Sequence, residues 1–183
     1  LFIKQIETLK NAGYTFITAS ELMGILDGKI KLPQKPVLIT FDDGYRDFYT
    51  DVFPILKKYN IKATVYIVSS FLDKPNYMFT WQLKQIARSS LVEIGAHTVH
   101  HYSLKGLPPT LTKYEIEESK KALEEIISTP VASFAYPDGS FDEQAIKIVK
   151  EAGFKSAVTT MHGFETNQEN KYSIYRVHPG DKI

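Results

Sequence analysis

The amino-acid sequence predicts an α/β domain built on a mainly parallel sheet. Short apolar segments alternate with amphipathic segments of helical length along nearly the whole chain, which is the pattern of βα units. Residues 37–41 form a continuous apolar run that stops abruptly at Asp42, Asp43 and Gly44. Such runs are typical of strands buried on both faces. These patterns leave the sheet either open or closed into a barrel, with active groups at the carboxyl ends of its strands.

The predicted elements follow one another in chain order. Phe2, Ile6 and Leu9 repeat at helical spacing before Gly13, which favours a helix that ends at a glycine. Ser20 precedes the next periodic segment and is the predicted N-cap of a second helix. The polar segment 162–171 is predicted to be a loop. Predicted strands cover residues 14–18, 37–41, 63–68, 92–96, 132–136 and 156–160, and predicted helices cover 2–12, 21–26, 50–59, 81–89, 113–127 and 142–152.

Composition favours one globular domain over residues 1–183. The formal charge is only +1, from 22 Lys and Arg against 21 Asp and Glu, so we expect no nucleic-acid partner. Cysteine is absent, and any metal must therefore be held by nitrogen and oxygen ligands. No apolar run approaches the ~20 residues of a membrane-spanning helix. The chain opens on Leu1 inside a helical pattern, so we expect a fragment of a longer protein. Nothing in the composition indicates an oligomeric state.

Two adjacent carboxylates follow the buried strand at 37–41. Asp42 and Asp43 would repel each other in a partly desolvated place unless a cation or a proton lay between them. A metal ion would remove that repulsion. Alternatively, one aspartate caps the following helix while the other forms a turn with Gly44.

Three of the five histidines of the chain fall within five residues, directly after the predicted strand 92–96. His97 and His101 lie four apart, so one helical turn would bring both imidazoles to the same face, with His100 pointing elsewhere. A solvated helix face is the alternative interpretation of the pair alone. Together with Asp42 and Asp43 at another strand end, the pair predicts a metal site.

Two histidines and one carboxylate leave coordination positions open for water and substrate, as catalytic sites do. A divalent ion such as Zn²⁺ lowers the pKa of its water from ~16 toward ~7, and a nearby carboxylate then takes the proton during attack on a carbonyl. Asp43 is the predicted third ligand, and Asp42 is the predicted base.

Three ordered motifs resemble those of the polysaccharide deacetylases, which are carbohydrate esterase family four, the NodB homology domain. The motifs are Thr-Phe-Asp-Asp-Gly at residues 40–44, His-Thr-Val-His-His at residues 97–101 and Phe-Ala-Tyr-Pro-Asp-Gly at residues 134–139. The similarity extends from about residue 2 to about residue 177. An ordinary Pro-Asp-Gly turn is the alternative for the third motif alone.

The resemblance implies a distorted parallel (β/α) barrel with fewer than eight strands, about seven here. It implies removal of acetyl groups from an N-acetylated polysaccharide, with Asp43, His97 and His101 holding Zn²⁺ or else Co²⁺, Ni²⁺ or Mn²⁺. A backbone N–H at Asp138 would stabilise the oxyanion beside Tyr136. Family membership also implies an extracellular or cell-surface location.

Two features depart from the family pattern. Where the family has an arginine that orients the base, this chain has Ala135. We expect Arg176, in a short apolar run near the chain end, to supply that guanidinium to Asp42. The histidine that protonates the leaving amine has no clear counterpart, and His178 is the first candidate, with His162 as the other.

Alternative functions remain open at this point. The ligand set alone also suits a two-His-one-carboxylate iron enzyme, although those triads usually lie on all-β scaffolds. An O-acetyl esterase acting on xylan-type glycans and a non-catalytic glycan-binding module are further alternatives. Tyr45, Trp81 and Tyr102 are candidate sugar-stacking residues or, equally, core residues. The sequence does not distinguish peptidoglycan, chitin-like and poly-N-acetylglucosamine substrates.

Overall fold

The structure, a computed structural model, describes residues 1–178 and confirms the alternation of strands and helices. The α-helices within these residues are α1 (Phe2–Asn11), α2 (Ala19–Leu26), α3 (Phe53–Tyr59), α4 (Thr80–Ala87), α5 (Pro109–Ile127) and α6 (Glu143–Glu151). The strands are β1 (Thr15–Ile17), β2 (Pro36–Leu38), β3 (Thr40–Phe41), β4 (Ala63–Ile67), β5 (Val92–Ala96), β6 (Ser133–Ala135), β7 (Ser156–His162) and β8 (Ile174–Arg176). No helix in residues 1–178 combines the length and the apolar character needed to cross a bilayer.

All strand pairs are parallel, as predicted. Strands β3 to β8 form a six-stranded sheet in chain order, and β1 pairs with β2 in a separate two-stranded sheet. The six-stranded sheet curls into a half-barrel. Helices α1 and α3 to α6 pack against its outer face, whereas α2 packs against the inner cluster. This architecture is the expected distorted (β/α) barrel.

The described chain has eight strands because the apolar run at 37–41 changes partner within its length. Its first part, in β2, pairs with β1, whereas its second part, in β3, pairs with β4. Ile39 lies between the two and accepts a hydrogen bond from the N–H of Thr64 at 3.0 Å. Both halves are apolar, so the change of partner leaves no mark in the sequence.

The central strands are apolar on both faces because each face meets a different core. All five residues of β4 are buried. Val65 and Ile67 belong to the large core shared with the helices, whereas Tyr66 points into the barrel, as expected from the alternation of side chains along a strand. The inner cluster around Tyr66 consists of Met23, Ala135, Val158 and Ile174.

Gly95 of β5 makes room for the ring that fills the barrel. A Cβ atom at this position would lie 2.3 Å from Cδ1 of Tyr66. Because interiors are packed as densely as organic crystals, the ring has no space into which to retreat. Glycine is therefore required there by packing.

The barrel has an open side between β2 and β8, since no strand pairing joins them within residues 1–178. A groove of about 500 Å³ lies at this opening, and its mainly apolar lining includes Thr40 and Arg176. Because the strands of the six-stranded sheet run parallel, the carboxyl ends of β3, β5, β6 and β8 lie at one edge of the sheet. The candidate site occupies that edge.

Several predicted boundaries differ from the structure: α5 begins at Pro109 and not at residue 113, and α3 begins at Phe53 after a π-helical turn at Phe48–Val52. Thr18, and not Ser20, caps α2, because the Thr18 hydroxyl accepts from the N–H of Glu21 while the Glu21 carboxylate accepts from the N–H of Thr18. Ser20 instead donates its hydroxyl to Glu93 at 2.9 Å. Strand β7 extends through His162, so the loop predicted from that residue begins later.

Candidate active site

A tight turn after β3 gives the two adjacent aspartates different surroundings. The N–H of Gly44 donates to the carbonyl of Asp42 at 2.9 Å. Asp43 and Gly44 both have left-handed backbones, with φ of 71° and 81°. Glycine adopts this conformation readily and aspartate tolerates it. As a result, Asp42 and Asp43 are neighbours in sequence but have no partner in common.

His97 leaves the end of β5 with its ring 2% exposed and one nitrogen already bound. Its Nδ1 lies 2.7 Å from the carbonyl oxygen of Ala135. A carbonyl only accepts, so we assign the proton to Nδ1, which leaves the Nε2 lone pair directed away from that bond. Metal-binding histidines are oriented in this way by a backbone carbonyl.

His101 reaches the same place along a loop, and the predicted helical turn is wrong. Residues 97–101 contain no helix. Thr98 and His101 instead have left-handed backbones, with φ of 66° and 62°, and the Thr98 hydroxyl accepts from the N–H of His101 at 2.9 Å. The ring centroids of His97 and His101 are 4.9 Å apart.

The ligand atoms of Asp43, His97 and His101 converge on one point. Oδ1 of Asp43 lies 3.4 Å from Nε2 of His97 and 3.3 Å from Nε2 of His101. With metal–ligand bonds of about 2.0–2.1 Å, the edge of a tetrahedral site is about 3.3 Å. Oδ1 of Asp43 is also buried and makes no hydrogen bond within the described residues. Buried acceptors are almost always satisfied, so this atom fits a metal ligand.

Electrostatics agree with an anionic ligand at Asp43. Interaction with His97, and to a smaller degree with His101, holds the pKa of the Asp43 carboxyl below its usual range, although burial opposes this shift. His100 points away from the group, as predicted, and its Nδ1 lies 2.7 Å from Oε1 of Glu115.

Asp42 pairs with Arg176, which comes from the opposite edge strand of the six-stranded sheet. Nη1 of Arg176 donates to Oδ1 of Asp42 at 2.8 Å, and Nη2 donates to Oδ2 at 2.7 Å. The guanidinium also donates to the Thr159 carbonyl at 2.8 Å and to the Thr40 hydroxyl at 3.1 Å. Burial opposes the charge of Arg176, but Asp42 outweighs it and raises the arginine pKa further. The structure thus places Arg176 where the sequence analysis expected it.

The third motif forms a short 3₁₀ turn after β6. Asp138 is exposed and has a left-handed backbone, with φ of 56°. Its carbonyl accepts from the Thr160 hydroxyl at 3.0 Å, which fixes the peptide. At Gly139, with φ of 65°, a Cβ atom would lie 2.1 Å from Oγ1 of Thr160. Gly139 therefore allows the turn to pack closely against β7.

Tyr136 is placed differently from the expected substrate contact. Its side chain is 0% exposed, its ring stacks on Phe141, and its hydroxyl donates to the Tyr172 carbonyl at 3.0 Å. Burial raises the pKa of this hydroxyl. The expectation is corrected because the side chain turns into the core instead of toward the edge that carries the ligands.

The two candidate acids occupy neighbouring exposed positions. His178 follows β8, and its Nε2 lies 3.3 Å from the carbonyl of Thr160, the residue whose hydroxyl binds Asp138. His162 ends β7 and packs edge-on against Phe164. His178 is therefore linked to the third motif through Thr160.

Sequence analysis did not single out Thr160 or Glu115. Thr160 belongs to an apolar strand pattern in which a threonine is ordinary. Glu115 lies in a helix among other glutamates, Glu117 and Glu118, and only its complete burial distinguishes it. No local pattern separates such residues from their neighbours.

Comparison with known proteins settles the family. Residues 29–157 match the family described as polysaccharide deacetylase, a span that includes Asp42, Asp43, His97, His101 and Asp138. The chain belongs to the polysaccharide deacetylase family. Arg176 and His178 lie beyond the matched span.

Two curated relatives in the family are longer than the given chain. It is 32% identical over 176 residues to YxkH of Bacillus subtilis (strain 168), covering 96% of this chain and 63% of YxkH. It is 29% identical over 190 residues to the poly-β-1,6-N-acetyl-D-glucosamine N-deacetylase of Staphylococcus aureus (strain N315). The alignment covers 96% of this chain and 65% of that relative. The chain therefore spans less than two thirds of these relatives.

Solved structures share the fold of this chain. The Streptococcus pyogenes deacetylase PplD in complex with acetate superposes with a TM-score of 0.91 at 29% identity, covering 97% of this chain and 79% of PplD. IcaB from Ammonifex degensii gives a TM-score of 0.83 at 28% identity, covering 87% of this chain and 75% of IcaB.

Proposed function

We propose that this protein hydrolyses acetyl groups from an N-acetylated polysaccharide, with Asp42 as the base. The observation that carries the proposal is the separation of the two aspartates. Asp43 shares one point with His97 and His101, while Asp42 is held apart by Arg176. A Lewis-acid site beside a separate carboxylate supports hydrolysis of an amide, because the first polarises the carbonyl and the second accepts the proton of the attacking water.

The residues present fit a divalent metal ion. Asp43, His97 and His101 would hold it with one oxygen and two nitrogens, which suits Zn²⁺, and Co²⁺, Ni²⁺ or Mn²⁺ are alternatives. When bound, such an ion lowers the pKa of coordinated water and polarises a carbonyl oxygen. The three protein ligands leave a position for substrate.

Asp42 receives the proton of the attacking water in this proposal. Its carboxylate has about four lone-pair sites, and Arg176 and its two hydrogen bonds use only part of them. The bidentate pair fixes the orientation of the carboxylate, so the base does not have to be ordered during the reaction.

The N–H of Asp138 would donate to the oxyanion as the acetyl carbonyl becomes tetrahedral. The left-handed backbone of Asp138 sets the direction of this N–H, and the bond from the Thr160 hydroxyl to the Asp138 carbonyl holds the peptide that follows it. A preorganised donor of this kind contributes roughly 3 kcal/mol to transition-state stabilisation. As the C–N bond breaks, His178 would protonate the leaving amine, and acetate and the free amine are released.

The proposed substrate is a neutral or weakly charged polymer of N-acetylhexosamine. The Staphylococcus aureus relative is named for poly-β-1,6-N-acetyl-D-glucosamine, which is one member of that class. Tyr45, Trp81 and Tyr102 are 44%, 57% and 49% exposed, so each offers part of a ring to a sugar. A glycan of this class lies in or on the cell envelope, and we propose an extracellular or cell-surface location.

Acetate release from a panel of acetylated glycans tests the proposal. Metal-reconstituted protein is assayed on peptidoglycan, chitin-type and poly-N-acetylglucosamine substrates beside Asp42→Asn and the exposed control Asp47→Asn. We expect metal-stimulated release from at least one N-acetylated glycan, a loss of about 10²–10⁴-fold in Asp42→Asn and no loss in the control. Absence of release from every glycan, or full activity in Asp42→Asn, would contradict the proposal.

A further inference from the structure

Glu115 is a buried acid that contacts the histidine loop. Within residues 1–178 it is the one acidic residue that is fully buried, at 0% exposure. It lies on α5, and its Oε2 accepts from the N–H groups of Val99 and His100 at 2.9 and 2.8 Å. Its Oε1 lies 2.7 Å from Nδ1 of His100. All three contacts are with residues between the two histidine ligands.

The histidine loop, residues 97–101, makes few other backbone hydrogen bonds that fix its conformation. Its backbone is left-handed at Thr98 and His101, a conformation that costs energy for residues other than glycine. The carbonyls of Thr98 and Val99 accept from the N–H groups of Ser69 and Ser70, both at 3.1 Å. On the opposite side of the loop the His100 ring stacks on Tyr114 of α5, and the N–H groups of Val99 and His100 donate to Glu115. The loop is therefore clamped between residues 69–70 and α5.

Because position 115 is buried, the side chain there must carry an oxygen that accepts hydrogen bonds from the loop. An apolar side chain would leave the buried N–H of Val99 and the partly buried N–H of His100 without their acceptor, and buried N–H groups find partners almost everywhere in folded proteins. The loop would then have to move to reach water. His101 is bonded through its own N–H to Thr98 in the same loop, so movement of residues 99 and 100 displaces a ligand.

We propose that Glu115 is a positioning residue that sets the spacing of His97 and His101 for metal binding. The inference rests on the metal site of the proposed function. In other proteins, loss of a group that orients a metal ligand weakens metal affinity by about 10- to 100-fold. Glu115 would act in this way on the loop as a whole, through the backbone of Val99 and His100 and not through a ligand ring.

Three variants separate positioning from simple stability. Glu115→Leu removes the acceptors while keeping a similar volume. Glu115→Gln keeps one oxygen that can accept hydrogen bonds from both N–H groups, so it should keep Co²⁺ binding close to that of the wild type. Glu118→Leu is the control, because Glu118 is exposed on the same helix. The readouts are the dissociation constant for Co²⁺, the visible absorption spectrum of the Co²⁺ protein, and the unfolding midpoint of the metal-free protein.

We expect Glu115→Leu to bind Co²⁺ about 10- to 100-fold more weakly with an altered spectrum, and Glu115→Gln and Glu118→Leu to resemble the wild type. A lowered unfolding midpoint with unchanged Co²⁺ affinity and spectrum would overturn the inference. If Glu115→Leu does not fold, Glu115→Asp decides, because it withdraws the carboxylate by one methylene, and unchanged Co²⁺ binding there overturns the proposal equally. If the wild-type protein binds no divalent ion, the proposed function fails instead.

Discussion

The two halves of the site are built from adjacent residues by different means. The metal half joins Asp43 to the loop after β5, and Oδ1 of Asp43 lies 3.3–3.4 Å from both histidine Nε2 atoms without accepting a hydrogen bond within the described residues. The base half joins Asp42 to Arg176 through two short hydrogen bonds between the edge strands β3 and β8. The metal half presents an unsatisfied oxygen, whereas the base half is fully formed.

This difference indicates how one dipeptide serves two roles. If both carboxylates faced the histidines, both would become ligands and no base would remain. The left-handed turn at Asp43 and Gly44, together with the guanidinium of Arg176, prevents this. The tests below change one half at a time, and each asks whether the other half is unaffected.

The largest effect is expected from removing a ligand of the metal half. His97→Ala should lose metal-stimulated acetate release by at least about 10³-fold, because a bound ion contributes several kcal/mol to transition-state stabilisation. Release is measured against chelator-treated wild-type protein. If His97→Ala is clearly more active than the chelator-treated wild-type protein, the metal half is not needed for acetate release.

A smaller effect is expected from His178, the proposed acid. In His178→Ala we expect kcat to fall by about 10²-fold and the high-pH limb of its pH profile to disappear, because an acid must carry its proton to act. His162→Ala serves as the matched variant. If His162→Ala loses the limb and His178→Ala keeps it, the assignment passes to His162.

Arg176→Lys tests whether the base half depends on the paired hydrogen bonds to Asp42 or only on the positive charge. Lysine keeps the charge but does not bind both oxygens of Asp42 in a fork, so we expect kcat/KM to fall by about 10- to 100-fold with unchanged metal affinity. The exposed Arg88→Lys is the control. Loss of metal affinity in Arg176→Lys would mean that the halves are coupled.

The smallest effect is expected from Tyr136, which belongs to neither half. Tyr136→Phe removes one buried hydrogen bond to the Tyr172 carbonyl and should lower the free energy of unfolding by about 1 kcal/mol. Acetate release should stay near the wild-type rate. A large loss of activity in a normally stable variant would restore the substrate role.

The sequence predicted the metal half better than the base half. Asp43, His97 and His101 lie directly at strand ends, and parallel strands bring their ends together, so short motifs are sufficient to find them. The predicted conformation of residues 97–101 was wrong, because a loop with left-handed residues at Thr98 and His101 replaces the helical turn. Arg176 lies 134 residues from Asp42, and its role is predicted from Ala135, which stands where the family has an arginine, and from the short apolar run around Arg176. Tyr136 was misjudged because a motif gives position along the chain but not the direction of a side chain.

The most direct test of the two-halves account is a divalent-metal titration of two matched variants. Asp42→Asn and Asp43→Asn change adjacent residues in the same way, and each is titrated with Zn²⁺ and Co²⁺ beside the wild type. We expect Asp43→Asn to weaken binding by more than about 100-fold and Asp42→Asn to bind as the wild type does. Equal loss in both variants, or a greater loss in Asp42→Asn, would contradict the separation of the two carboxylates.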